Sequence, residues 1–104
     1  MLTWREPLYI EDQLKKREKR LKKRLNDGKA DVGHYLITLS QNPNDNLDII
    51  STSYLKQRSL YNMLPTVVGI AASKTGAIKL VRLIAEDCLA KTKGLDIRAF
   101  LTEE

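Results

Sequence analysis

The strongest pattern of apolar and polar positions lies near the C-terminal end of the chain, over residues 75–93. Apolar side chains recur there every three to four residues and share one broad face, whereas charged side chains lie opposite. The apolar positions are Ala77, Ile78, Leu80, Val81, Ile84, Ala85, Cys88 and Leu89. This spacing predicts an amphipathic helix that packs on a sheet and is closed by Gly94. Asp96 then predicts the cap of a last helical turn over residues 97–101.

Two segments in the middle of the chain alternate with a period of two, as strands do. Residues 35–40 and 47–52 both show this alternation and contain many β-branched, aromatic or leucine side chains. The Asn-, Pro- and Asp-rich residues 42–46 between them are typical of a turn, so the pair predicts a β-hairpin. Residues 66–72 are short, β-branched and almost wholly apolar, which predicts a buried strand. A short helix capped by Ser53 precedes that strand.

The N-terminal quarter of the chain predicts a helix over residues 7–28. Its Lys, Arg, Leu and Glu residues are good helix formers, and Pro7 suits a first helical turn. The Asn-Asp-Gly sequence at 26–28 suits the end of the helix. At about 100° per residue the apolar side chains form a narrow stripe, which consists of Ile10, Leu14, Leu21 and Leu25. Because so thin a stripe leaves the helix marginal alone, it must pack on the rest of the chain or on a second copy.

Together these elements predict an α+β protein with a small three-stranded sheet, made of the hairpin and one further strand. The amphipathic helix packs on this sheet, and the basic N-terminal helix is joined to it. The 104 residues suit a single domain, divided into the basic helix at 7–28 and a compact α+β body at 29–104. Since a body of this size builds only a small core, we also expect a homo-oligomer.

Charge changes this picture because the positive excess is concentrated in one segment. The chain carries 18 basic and 13 acidic residues, for a net charge of +5. Residues 15–24 hold eight basic side chains and one acidic side chain, for a net charge of +7. The other 94 residues therefore carry a net charge of −2. A mildly acidic body joined to one strongly basic helix is the feature that a functional hypothesis has to explain.

The basic segment predicts a sequence-indifferent nucleic-acid-binding accessory protein that acts through the helix at 10–27. Cations along one helix neutralise several phosphates, whereas residues 15–24 lack the Asn, Gln and aromatic side chains that read bases. The predicted phosphate contacts are Lys15, Lys16, Arg17, Lys19, Arg20, Lys22, Lys23 and Arg24.

The same helix supports other interpretations. In one, the protein is a protein-interaction module or homodimer whose contact is the apolar stripe of Ile10, Leu14, Leu21 and Leu25. In another, the cations bind an acidic protein surface or an anionic membrane, although a narrow stripe without Trp or Phe inserts weakly into lipid. The simplest interpretation is a solvated cationic helix whose leucines pack on the body of the chain or on a second copy.

A strand-to-helix turn supplies a candidate anion or nucleotide site at Ser73, Lys74, Thr75 and Gly76. Amide groups at the start of a helix bind anions, and Lys74 adds positive charge. The phosphate-binding loop motif nevertheless requires glycine at the positions of Val68 and Ser73. A helix start capped by a hydroxyl group is therefore the first interpretation of this turn.

Other motifs give no support for an enzyme or a metal site. The amide and acidic residues from Asn42 onward lack the glycine and the bidentate glutamate of a calcium loop. His34 is the only histidine, with no nearby cysteine as a second ligand, and Cys88 lies on an apolar face where a packed thiol is expected. Adjacent carboxylates on a helix diverge by about 100° and cannot share a substrate. We expect no enzymatic activity, no cofactor and no metal.

The single cysteine and the short apolar segments give indications of the cellular location of the protein. One cysteine cannot form a disulfide within the chain, which favours a reducing compartment. The longest largely apolar stretch, residues 64–72, is far shorter than the about 20 residues of a membrane-spanning helix. The N-terminal residues show no secretory pattern. We therefore expect a cytoplasmic protein without a membrane span.

Overall fold

A computed structural model describes residues 2–28, 33–42 and 46–102 of the chain. Within these residues four strands form one mixed sheet: β1 (Trp4–Ile10), β2 (Tyr35–Leu39), β3 (Leu47–Ser51) and β4 (Val67–Ala71). Their order across the sheet is β1-β4-β2-β3. β4 runs parallel to β1 and antiparallel to β2, and β2 pairs antiparallel with β3.

Helices cover both faces of this sheet. The described part of the chain contains four α-helices: α1 (Glu18–Asn26), α2 (Arg58–Met63), α3 (Lys74–Thr92) and α4 (Ile97–Thr102). Two 3₁₀ segments, Asp12–Arg17 and Thr52–Lys56, precede α1 and α2. The first 3₁₀ segment is followed directly by α1, with a change of backbone conformation at Arg17, whose φ is −107° and whose ψ is 9°.

Two hydrophobic cores lie on opposite faces of the sheet. One contains Ile37 of β2 with side chains of α3 and α4, such as Ile84. The other contains the neighbouring Leu36 with side chains of the first helical segment, such as Leu14 and Leu25. Successive residues of a strand point to opposite faces, which is why Leu36 and Ile37 belong to different cores. Since β4 contributes to both, all five of its residues are buried.

The hairpin, the buried strand and the long helix are confirmed. β2 and β3 pair along their whole length, whereas the turn predicted at 42–46 lies partly outside the described residues. α3 is amphipathic, but Ile78 and Leu89 of the predicted apolar face remain 48% and 51% exposed. Its left-handed C-terminal residue is Lys93, with a φ of 61°, rather than Gly94. The last helical turn is present, and Asp96 caps it by accepting a hydrogen bond from the amide of Ala99 at 3.1 Å.

The N-terminal part of the prediction is wrong, because residues 4–10 form β1 rather than the start of a helix. The sheet therefore has four strands in the described residues, not three, and the helix predicted over 7–28 begins only at residue 12. Pro7 lies in an edge strand where the register with β4 shifts between Trp4 and Tyr9. Proline is tolerated at such an interruption, since no ladder hydrogen bond is needed from its nitrogen.

Gly69 allows β1 and β2 to approach β4 closely. A Cβ atom placed on Gly69 would lie 2.8 Å from the carbonyl oxygen of Tyr9 and 3.2 Å from Cδ1 of Ile37. The first contact is with backbone of the neighbouring strand, which cannot move aside without disturbing the strand pairing. The junction between the N-terminal strand and the rest of the sheet therefore requires glycine at this position.

We expect the substitution Gly69→Ala to lower the free energy of unfolding by about 1–3 kcal/mol, the usual cost of over-packing a core. Gly94→Ala is the matched control, because its added Cβ meets no atom closer than 4.0 Å. The control should change the free energy of unfolding by less than about 0.5 kcal/mol. Equilibrium urea denaturation measures both, and equal effects of the two substitutions would contradict the tight strand junction.

Candidate nucleic-acid interface

α1 separates cationic and apolar side chains onto opposite faces. Four exposed cations form its outward face: Lys19, Arg20, Lys23 and Arg24. At about 100° per residue they span an arc of about 140°, whose centre lies about 150° from that of Leu21 and Leu25. Two further exposed cations, Lys16 and Arg17, end the preceding 3₁₀ segment. We call these six residues the cationic face.

The predicted oligomer contact lies inside the chain's own core. Leu14, Leu21 and Leu25 keep only 0%, 4% and 1% of their surface exposed, and Ile10, which belongs to β1 and not to the helix, keeps 8%. All four belong to the core on one side of the sheet. Burying a leucine stabilises a fold by about 1.5–3 kcal/mol. The stripe therefore holds the helix on its own sheet, and a dimer through it would require this core to open.

Lys22, one of the eight predicted phosphate contacts, is engaged within the chain. Its Nζ atom lies 2.5 Å from Oε1 of Glu6 and 3.0 Å from Oε2 of Glu18. The same atom lies 5.7 Å from the centroid of the Trp4 ring, within the range of a cation–π interaction. The Lys22 side chain is only 17% exposed. It links α1 to β1 and is the least available of the eight cations.

Lys15 is also paired, but on the surface. Its Nζ atom lies 2.9 Å from Oδ1 of Asp12, and both side chains are well exposed. The hydrogen bond and the opposite charge raise the pKa of Lys15 and lower the pKa of Asp12. The six residues of the cationic face, in contrast, have no carboxylate partner within 4.0 Å among the described residues. Their charge is available to an external anion.

The pairing of Lys22 predicts a pH dependence of stability. Burial alone would lower the pKa of Lys22, but hydrogen bonds and opposite charges from Glu6 and Glu18 outweigh burial and raise the pKa above 10.5. Because the pKa of Lys22 is higher in the folded state, the two ion pairs stabilise the fold fully below the unfolded-state pKa. This stabilisation is lost as the pH rises through the folded-state pKa.

We therefore expect the difference in free energy of unfolding between the native chain and Lys22→Met to shrink above about pH 10. Methionine keeps an apolar side chain beside Trp4 and removes the charge. The loss should amount to no more than about 1 kcal/mol per ion pair. Urea denaturation of both proteins between about pH 8 and pH 12 measures it. A difference that stays constant over this range would contradict the role of the two ion pairs.

A carboxylate of the chain itself lies at the candidate anion site of residues 73–76. Ser73 caps α3 by accepting a hydrogen bond from the amide of Gly76 at 3.0 Å. Oε1 of Glu11 accepts a hydrogen bond from the amide of Ala72 at 2.7 Å. The Glu11 carboxylate also occupies the space where a Cβ atom on Gly76 would fall. An external anion would have to displace Glu11 to reach this helix start.

We expect Glu11→Gln to lower the free energy of unfolding by about 1 kcal/mol, since the amide keeps an acceptor but loses the charge that favours a helix N-terminus. Glu11→Ala should cost about 1–3 kcal/mol, because the amide of Ala72 then loses its acceptor. Thermal unfolding of both variants measures the difference. Lys74 and Thr75, the other residues of the predicted anion site, are exposed and provide control positions for substitution to Ala. Losses as large at these positions would contradict a specific role of Glu11.

Two other residues that the sequence singles out, Cys88 and His34, take part in packing and in backbone hydrogen bonds. Cys88 is fully buried, with Sγ 3.4 Å from the carbonyl oxygen of Gly94 and 3.7 Å from Oγ1 of Thr92, so it is the packed thiol that the sequence predicts. The carbonyl of His34 accepts hydrogen bonds from the amide and the hydroxyl of Thr52. Among the described residues, no group of three or more His, Cys, Asp or Glu side chains is placed to hold a metal ion. None of the helices described is long and apolar enough to span a membrane.

Comparison of the chain with protein-family models, with curated proteins and with solved structures finds no match. Function is therefore inferred from the surface itself. The sequence identified all six members of the cationic face, but it did not reveal that Lys22 is engaged with Glu6. That contact joins residues 16 positions apart and depends on β1 lying beside α1.

Proposed function

We propose that this protein binds nucleic acid through phosphate contacts on the cationic face, without reading base sequence. The observation that supports this proposal is the set of six exposed cations that have no carboxylate partner among the described residues. α1 is about 13 Å long, and one strand of B-form DNA presents about four phosphates over that length. The cationic face itself contains no amide or aromatic side chain to distinguish bases.

The packing of α1 also favours this function over a homodimer through the apolar stripe. A homodimer through the apolar stripe lacks an exposed contact, since Leu14, Leu21 and Leu25 are buried in the core. A helix whose inner face is part of the core presents its cations on one side, and its backbone needs no ordering when it binds. We further propose that the protein acts as an accessory factor in the cytoplasm, in line with its single, buried thiol at Cys88.

A pair of charge-matched triple variants tests the proposal. Lys19→Gln, Arg20→Gln and Lys23→Gln remove two lysines and one arginine from the cationic face. Lys74→Gln, Lys79→Gln and Arg82→Gln remove the same charges from exposed positions on α3. The first triple should weaken binding to labelled DNA or RNA by about tenfold or more near physiological salt. It should also lower the slope of log affinity against log salt by about two to three units, whereas the α3 triple should change the slope little.

Fluorescence anisotropy across a salt titration gives both quantities, and thermal unfolding confirms that both triples remain folded. Equal losses in the two triples would assign binding to net charge and not to the cationic face. Absence of binding by the native chain at low salt would refute the proposal. Polyglutamate serves as a competitor of the labelled nucleic acid. If it displaces the protein from the label at a lower concentration of charge than unlabelled nucleic acid does, an acidic protein surface becomes the preferred partner.

A further inference from the structure

A polar cavity of about 450 Å³ opens at the C-terminal end of α1, between this helix and the segment that holds α2. Its lining combines two amides, Asn26 and Asn62, with two cations, Lys56 and Arg58, one carboxylate, Asp27, and the aromatic ring of Tyr61. The residues come from two parts of the chain that only the fold brings together. Amides, cations and an aromatic ring are the groups that bind the edge, the phosphates and the face of a nucleotide.

Asn26 is held rigidly at this cavity. Its Oδ1 atom accepts hydrogen bonds from the amide of Leu2 at 3.1 Å and from Nε1 of Trp4 at 3.0 Å. Its carbonyl oxygen accepts a hydrogen bond from the hydroxyl group of Tyr61. The Nδ2 group makes no hydrogen bond in the described part of the chain and carries two N–H donors. Donors fixed in place before binding need no reorganisation to bind an acceptor on a ligand.

The cavity continues the cationic face. Asn26 follows Arg24 by two residues, so the cavity begins within one turn of the last cations of α1. Lys56 and Arg58 are exposed and have no carboxylate partner within 4.0 Å among the described residues. A nucleic-acid strand that follows α1 to its C-terminal end therefore reaches two more cations at the cavity.

We propose that this cavity binds one unpaired nucleotide of a single strand, with the adjoining phosphates on Lys56, Arg58 and the cationic face. This inference rests on the proposed function and narrows its ligand to single-stranded nucleic acid. In a duplex the base edge is paired and both base faces are stacked, so only an unpaired base is able to enter. The amides of Asn26 and Asn62 then bind the exposed edge of the base.

Asn62→Leu is the first test, because it removes donors and an acceptor from the cavity without changing charge. The probes are a labelled single strand of about 12 nucleotides and the duplex of the same sequence, at one salt concentration with the full chain. The native chain should bind the single strand more tightly than the duplex. We expect Asn62→Leu to weaken single-strand binding by about 3- to 10-fold, as the loss of a hydrogen bond does, and to leave duplex binding unchanged.

A charge-matched pair is the second test and does not depend on Asn62. The double variant Lys56→Gln with Arg58→Gln should weaken single-strand binding more than duplex binding. The double variant Lys79→Gln with Arg82→Gln on α3 should leave the preference for the single strand over the duplex unchanged. Both pairs remove one exposed lysine and one exposed arginine.

The outcomes separate this inference from the proposed function. If Asn62→Leu and the Lys56/Arg58 pair leave the preference for single strands unchanged while the Lys19/Arg20/Lys23 triple still weakens binding, the cavity has no role and the proposed function stands. Equal weakening of single-strand and duplex binding would likewise overturn the inference. If the native chain binds neither probe, both proposals fail together.

Discussion

β4 is buried on both faces, and the positions of the other elements follow from the need to cover it. β1 and β2 pair with its two edges, α3 and α4 cover one face, and the first helical segment covers the other. Gly69 permits the close approach of β1 that completes the sheet. Because α1 reaches β4 through leucines, its cations have to point away from the body. The electrostatic character of the surface is thus a result of how the interior is packed.

Local sequence is sufficient to predict the hairpin and α3. The hairpin is marked by β-branched, aromatic and leucine residues on both sides of a turn-forming segment, although β2 is buried on both faces of the sheet. α3 is marked by apolar residues at helical spacing, several of which cover the sheet. β1 has no regular pattern of apolar residues in the sequence. It is an edge strand with a register shift around Pro7, so its burial pattern is irregular. Ile10 also falls on the helical spacing of Leu14 and Leu21, which extends the helical pattern backward into the strand.

The candidate site likewise has one part that the sequence reveals and another part that depends on the fold. The cations of α1 are visible in the sequence, because a run of like charge on a helix is a local feature. Which of them remain available depends on partners that are distant in sequence, as the contact of Lys22 with Glu6 shows. The cavity beside Asn26 is even harder to predict from the sequence. Lys56, Arg58 and Asn62 lie about 30 or more residues further along the chain, and only the fold places them beside Asn26.

The two faces of α1 have different tolerances to change. Replacing Leu21 or Leu25 alters the interior, because both side chains are buried among residues of the sheet and of other segments. Replacing Lys19 or Lys23 changes mainly the charge, because both side chains are exposed. Mutations on the outward face therefore change the surface charge while leaving the buried leucine contacts in place. In such a helix the surface charge is able to vary while the architecture stays constant.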